Sequence, residues 1–360
     1  MNPDWFKKIE SRLEQIERQL AHQDRLYSDA FERAGVLDVQ AAADRRFVRR
    51  IEEILSHDRP IIVGPWTGEV GFELIYWIPF VRWVVATYGL SPDRLCVVSR
   101  GGTASWYGGL ASHYADAFDF FSTDEFRTAT EEQRKQRRVG AFDAELVRRV
   151  IEQRRLGRAD LLHPGLMYRL LMPFWKDAAP LARVDRYSAP ARIDAPDDPV
   201  RRDLPPTYVA ARFYFSECFP DTPSNRAFVA TTLEGISRHV PVVLLDTPFQ
   251  VDDHLDASAA HAVIRIAPEH MAPSRNLATQ TAVIAGAQAF VGTYGGYSYL
   301  APLCGVPAPA FYSERTFKVQ HLQVAQHLFA RLGCAPVVPI DVAAAAALRQ
   351  VLPGVLVSAR

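Results

Sequence analysis

Short apolar runs alternate with amphipathic stretches along most of this chain. The segments 61–63, 95–99, 207–214, 240–246, 263–266, 289–291 and 306–311 are apolar throughout or nearly so, and Gly or Pro bounds most of them. Runs of this kind predict strands buried on both faces, as in parallel sheets. Between them, apolar residues recur at spacings of three and four, which predicts helices over 41–57, 227–239, 276–286, 321–332 and 343–351. Residues 118–122 read as a further strand. Residues 128–158 read as helical and strongly charged, with Lys135, Arg137 and Arg138 on a solvated face. The apolar and aromatic stretch 162–175 suits either core or the lining of a cleft. Strand and helix in alternation imply an α/β fold.

The first residues differ. Phe6, Ile9, Leu13, Ile16 and Leu20 lie on one seam of a helix predicted over 4–33. The seam suits pairing with a second copy of the chain or packing on the chain's own body. Its polar face mixes both signs, which disfavours a membrane-surface helix, though peripheral membrane contact stays open. Residues 185–206 are rich in Pro, Asp and Arg without apolar periodicity, as a linker is. The expected organisation is a helix at 1–36, an α/β domain at 37–190, a linker at 191–206 and a second α/β domain at 207–360.

Two glycine-rich turns carry the candidate chemistry. In the first, the strand at 61–63 runs into Gly64, Trp66, Thr67, Gly68, Glu69 and Gly71, and a helix follows. Open α/β sheets bind ligands beyond the carboxyl ends of such strands. The spacing does not match GxGxxG, so a nicotinamide dinucleotide is disfavoured. Glu69 and Glu73 lie four apart, on one face at the positive end of that helix. Either could serve as a general base or hydroxyl ligand, or could simply complement the helix dipole. In the second turn, Thr293-Tyr294-Gly295-Gly296 leads from a strand into a helix beginning Tyr297-Ser298. Exposed N–H groups at such a helix start suit a phosphate. Arg212 ends the first strand of the second half, and Asn225 and Arg226 follow in its loop. An arginine there can meet a diphosphate with a fork of donors, or can pair with Glu217 or Asp221.

Composition narrows the classes. The 360 residues suit two domains, and 48% are apolar, enough for sizeable cores. Lys plus Arg equals Asp plus Glu at 41 each, which disfavours a general nucleic-acid binder. Cys96, Cys218, Cys304 and Cys334 are far apart and read as buried thiols of a reducing compartment. No apolar run is long enough for a membrane span, and the N-terminus lacks an apolar signal core, so a cytoplasmic location is expected. The run Asp252-Asp253-His254-Leu255-Asp256 reads as a solvated loop, and no metal site is expected.

The segments GPWTGEVGFELIYW and VGTYGGYSYLAPLCGVPAPAFYS resemble parts of bacterial surface-polysaccharide glycosyltransferases, and the alternation over 60–335 resembles the two-domain GT-B architecture. That resemblance implies two Rossmann-like domains facing across a cleft. It implies a nucleotide sugar as co-substrate, a glycan or lipid-linked acceptor, and no bound metal or other cofactor. Carried onto this sequence, Arg212 and the turn at 293–298 would bind the diphosphate, Glu314 and His321 would contact the donor, and Glu69 or Glu73 would be the base. The chain lacks an obvious Glu-x7-Glu, which favours an inverting reaction. Two other readings stand beside it: a noncatalytic sugar- or nucleotide-binding subunit, and a nucleotide-sugar epimerase.

Overall fold

The computed structural model describes residues 36–131, 135–249, 255–256 and 263–344. The helix expected over 4–33, the acidic run at 252–254 and most of the helix expected over 343–351 lie outside them.

After helix α1 (Val36–Leu55), the N-terminal domain builds a parallel sheet from β1 (Ile61–Val63), β2 (Leu95–Ser99), β3 (His113–Asp116) and β4 (Asp160–Leu162), in the order β3-β2-β1-β4. All residues of β1 and β2 are buried, as their unbroken apolar runs require. Helix α2 (Val70–Tyr88) is apolar enough in composition and length to cross a membrane, yet most of it is buried within the protein as the domain's central helix. It contains a π-turn at Glu73–Trp77 and stops where Gly89 takes a left-handed conformation. Further helices are α3 (Ala104–Tyr107), α4 (Thr123–Glu131), α5 (Ala141–Gln153), α6 (Gly165–Trp175) and α7 (Leu181–Arg186).

Two boundaries differ from the expectation. The strand placed at 118–122 lies earlier, at His113–Asp116. The Asp116 carboxylate accepts from Phe118 N and turns the chain into a 3-10 segment, ending the strand. The charged helix expected over 128–158 is two helices, because the chain between them is held by side-chain bonds. Gly140 N donates to Asp143 there, and Gln136 is drawn into the interior.

The C-terminal domain contains β5 (Val209–Arg212), β6 (Tyr214–Phe215), α8 (Pro223–Ser237), β7 (Val242–Leu244), β8 (Leu255–Asp256), β9 (Ile264–Arg265), α9 (Asn276–Gly286), β10 (Ala289–Thr293), α10 (Gly296–Leu303), β11 (Ala308–Tyr312), α11 (Val319–Leu332) and β12 (Val337–Asp341). Its main sheet is parallel in the order β12-β11-β10-β5-β7-β9. Counting strands within this domain, that order is the doubly wound one, 3-2-1-4-5-6, read from the other end. Its topological switch point lies between β5 and β10. The N-terminal sheet likewise reverses direction between β1 and β4. The fold is therefore α/β with two Rossmann-like domains.

The domains meet over a shared apolar core that includes Ile61 and Trp77 on one side and Leu300 and Leu328 on the other. Polar contacts fix the docking. Ala278 N donates to Gly101 O at 2.9 Å, and Trp106 Nε1 to Thr281 Oγ1 at 2.9 Å. Asp185 near the end of α7 receives His327 and Arg331 of α11. The segment at 187–208, largely irregular, crosses between the domains. It is pinned at Asp198, which accepts from Val200 N, Arg275 and Thr279.

Candidate functional site

Both glycine turns lie beyond carboxyl strand ends, and they touch. A Cβ on Gly71 would stand 3.3 Å from the Gly296 Cα. One on Gly296 would stand 2.8 Å from Gly71 N and 2.9 Å from the Val70 Cβ. The starts of α2 and α10 thus abut across the domain interface, and only residues without side chains allow that approach. The two turns, which the resemblance set on facing domains, are in van der Waals contact.

At the C-terminal switch point, β5 and β10 pair with Arg212 opposite Gly292. The Arg212 guanidinium lies over the Tyr297 ring at 4.3 Å. It donates to the Tyr297 hydroxyl and to Gln280 Oε1, each at 2.5 Å. Arg212 therefore meets Tyr297 and Gln280, and neither Glu217 nor Asp221 is its partner in these bonds. The turn is braced from inside. Gly295 N donates to Ser298 Oγ at 3.1 Å, and Ser298 Oγ donates to Gly295 O at 2.7 Å. Thr293 Oγ1 exchanges hydrogen bonds with Tyr214 N and O. The Tyr294 and Tyr299 hydroxyls lie 2.7 Å apart. A side chain on Gly295 would collide with the Tyr214 hydroxyl. Ser298 and Thr293 are fully buried, so they shape the turn from within.

In the N-terminal turn the two glutamates have opposite surroundings. Glu69 is exposed at the start of α2. Glu73 is wholly buried. Its Oε1 accepts from Ser99 Oγ at 2.6 Å and from Tyr107 OH at 2.8 Å; its Oε2 accepts from Arg100 at 2.9 Å. Arg100 also donates to Gly68 O. Burial raises the Glu73 carboxyl above its ordinary value, and Arg100 and the hydroxyls oppose that rise. Glu73 fastens the π-turn to the end of β2 and, through Arg100, to the glycine turn. That geometry is an anchor's, and it leaves no oxygen facing solvent. Trp66 of the same turn faces inward as well. It is fully buried between Trp77 and Tyr168, with ring centroids at 6.0 and 6.3 Å.

The remaining candidates separate. Arg226 is bound to Asp221 by two bonds of 2.5 Å on the surface, and Asn225 Nδ2 is used by Pro220 O and Ser313 Oγ. Glu314 is exposed, its backbone N–H held by Cys218 O. His321 stands apart from these, against the N-terminal domain. Its Nδ1 is 2.8 Å from the Tyr76 hydroxyl, and its ring is 4.7 Å from that of Phe72. Burial lowers its pKa to about 4, helped by Lys135 and Lys318, so the imidazole is neutral near pH 7.

The sequence reading missed a buried network at the N-terminal switch point. Gln136 Nε2 donates to Pro65 O at 2.8 Å and to Asp143 Oδ1 at 2.9 Å, while its Oε1 accepts from Thr67 N at 2.9 Å. These three partners fix the orientation of the amide. Asp143 Oδ2 is 3.2 Å from His163 Nε2, and His163 Nδ1 accepts from Gly165 N at 3.0 Å. A glutamine buried inside a run of cations is the signal that could have been read as an anchor. Its distant partners had no local pattern.

No family model matches the chain, and no curated protein matches it. Among solved structures it is similar to the dodecameric iron-containing heptosyltransferase TibC of enterotoxigenic E. coli, solved with ADP-D-β-D-heptose. The TM-score is 0.38 at 15% identity, covering 71% of this chain and 59% of TibC. This chain thus spans under two thirds of that protein. It is also similar to a glycosyl transferase family 9 protein of Veillonella parvula, with a TM-score of 0.44, 12% identity and 82% and 89% of the two chains covered. A third is the Streptomyces glycosyltransferase SsfS6, with 0.34, 13%, and 84% and 94%.

Proposed function

We propose that this chain is a metal-independent glycosyltransferase that moves a sugar from a nucleotide-sugar donor to a glycan or other hydroxyl acceptor, in surface polysaccharide or glycoconjugate synthesis. One observation carries the reading. Arg212 and the Gly295–Gly296 helix start share the C-terminal switch point, where a doubly wound sheet takes its ligand, and the N-terminal glycine turn abuts it. Arg212 and the start of α10 would stabilise the departing nucleotide diphosphate. Of the two glutamates, Glu69 is the exposed one and would take the acceptor proton; Glu73 would hold the loop that carries it. The domains would separate to admit the donor.

The enclosure of Glu73 also favours the noncatalytic binding-subunit reading, since it removes one of two base candidates. A turnover assay separates them. UDP-, GDP-, dTDP-, ADP- and CMP-linked sugars are supplied with a cell-envelope extract as acceptor, and release of nucleotide is followed. Release with one donor, lost in Glu69→Gln while donor binding persists, is the expected result. Donor binding without turnover in any mixture would favour the binding subunit.

A further inference from the structure

Helix α9 is buried over most of its length, and Thr279, Gln280 and Thr281 in its middle are wholly buried. Three consecutive helical residues span about 200° of the helix surface. No one face can bury all three, so each polar group needs a partner of its own. Each finds it in a different part of the molecule. Thr279 Oγ1 bonds to Asp198 Oδ2, in the segment that crosses between the domains, at 3.0 Å. Thr281 Oγ1 accepts from Trp106 Nε1 of the N-terminal domain at 2.9 Å. Gln280 Oε1 accepts from Arg212 at 2.5 Å.

The start of α9 is seated on the N-terminal domain. Ala278 N donates to Gly101 O at 2.9 Å, and a Cβ on Gly102 would stand 3.1 Å from the Ala278 Cβ and from the Arg275 Cα. Gly101 follows Arg100, which holds Glu73 and the Gly68 carbonyl of the N-terminal glycine turn. One helix is thus bonded toward both glycine turns. Gln280 is a costly residue for its position. Its Nε2 has no hydrogen-bond partner among the described residues, and an apolar side chain of the same shape would avoid that cost. What the amide supplies is an oxygen for one edge of the Arg212 guanidinium, whose plane lies over the Tyr297 ring. A buried polar side chain with that single bond serves orientation more than stability.

We propose that Gln280 is the positioning residue of Arg212, and that α9 ties its place to the docking of the domains. With Gly101 and Trp106 seated on the helix, Gln280 holds the guanidinium; when the domains part, the helix loses those contacts and Arg212 is released. The orientation of the arginine then follows the closure of the domains over a ligand. This rests on the glycosyltransferase reading for what Arg212 binds, and adds that its grip depends on the N-terminal domain.

The test is reaction with phenylglyoxal, which attacks unbonded guanidinium groups, on wild type, Gln280→Leu, Gln280→Glu and Trp106→Phe, with each arginine followed by mass spectrometry. Arg212 should react about tenfold faster in Gln280→Leu, and faster by a smaller factor in Trp106→Phe. It should react more slowly in Gln280→Glu, whose carboxylate holds the guanidinium by a charge-assisted bond. Arg183, buried against Asp44 far along the N-terminal domain, should stay slow throughout, which separates release of Arg212 from general loosening. Unchanged reactivity of Arg212 in Gln280→Leu, or Arg183 rising with it, would overturn the positioning role. No change in Trp106→Phe would overturn the tie to docking. If Gln280→Leu does not fold, Gln280→Glu decides: a slower Arg212 supports the role and an unchanged one ends it. Adding UDP, GDP, dTDP, ADP or CMP to wild type tests the ligand separately. Protection of Arg212 by none of them would sink the diphosphate reading alone. Protection by one, with no effect of the Gln280 and Trp106 variants, would sink the positioning role alone.

Discussion

The two glycine turns look alike in the sequence and are held in different ways. The N-terminal turn is fixed by side chains reaching in from elsewhere. Glu73 and Arg100 grip Gly68, and Gln136 grips Pro65 and Thr67. The C-terminal turn is braced by its own residues and by its neighbour β6, with Ser298 closing on Gly295 and Thr293 on Tyr214. The first arrangement depends on buried charge and distant partners, the second on local backbone geometry. A glycine turn is therefore a statement about space, and what fills or borders the space decides its use.

The largest effect should come from breaking the buried charge. Glu73→Gln leaves Arg100 buried beside a neutral amide, and should lower stability by roughly 3–5 kcal/mol in urea unfolding. A loss under about 1 kcal/mol would show that the N-terminal turn does not depend on this anchor. Next, Gly296→Ala forces a methyl against Gly71 N and Val70. It should cost roughly 1–3 kcal/mol and separate the turns. Gly305→Ala, where a Cβ meets nothing within 4 Å although φ is +83°, reports backbone strain without a clash.

Asp116 bonds to Gly102 N, next to the Gly101 contact with α9, and burial raises its pKa from 3.8 to about 6. A raised carboxyl favours the folded state when protonated, so its contribution is present at low pH and is lost as pH rises through 6. His321 has the opposite sign. Its pKa falls from 6.5 to about 4, so the stability tied to its neutral form is lost as pH falls from 6.5 towards 4. Melting temperatures between pH 7 and 4 should fall more steeply in Asp116→Asn than in wild type, and less steeply in His321→Gln. Parallel profiles would remove both groups from this account. The smallest effect is at the surface: Arg226→Ala should leave the melting temperature unchanged, because its pair with Asp221 is exposed.

Much of the fold was legible because the buried strands announce themselves as apolar runs. The bounds of β2, α9 and the strand and helix flanking Gly295 agree closely with expectation. The short strand at Asp160–Leu162 went unread, because it has three residues of which only Leu162 is buried, too few for an apolar run to show. Arg212 could be placed because it ends a strand. Glu73 could not be distinguished from Glu69, because one residue's burial depends on Ser99, Arg100 and Tyr107, which pair with it only in three dimensions. The same limit hid Gln136, Asp143 and His163.

A nucleotide diphosphate site at Arg212 is tested by thermal stabilisation by UDP, GDP, dTDP, ADP and CMP, measured on wild type and Arg212→Ala. A concentration-dependent rise with one base, lost in the variant, is expected. An equal rise in both proteins, or none with any nucleotide, would contradict a nucleotide diphosphate site at the C-terminal switch point.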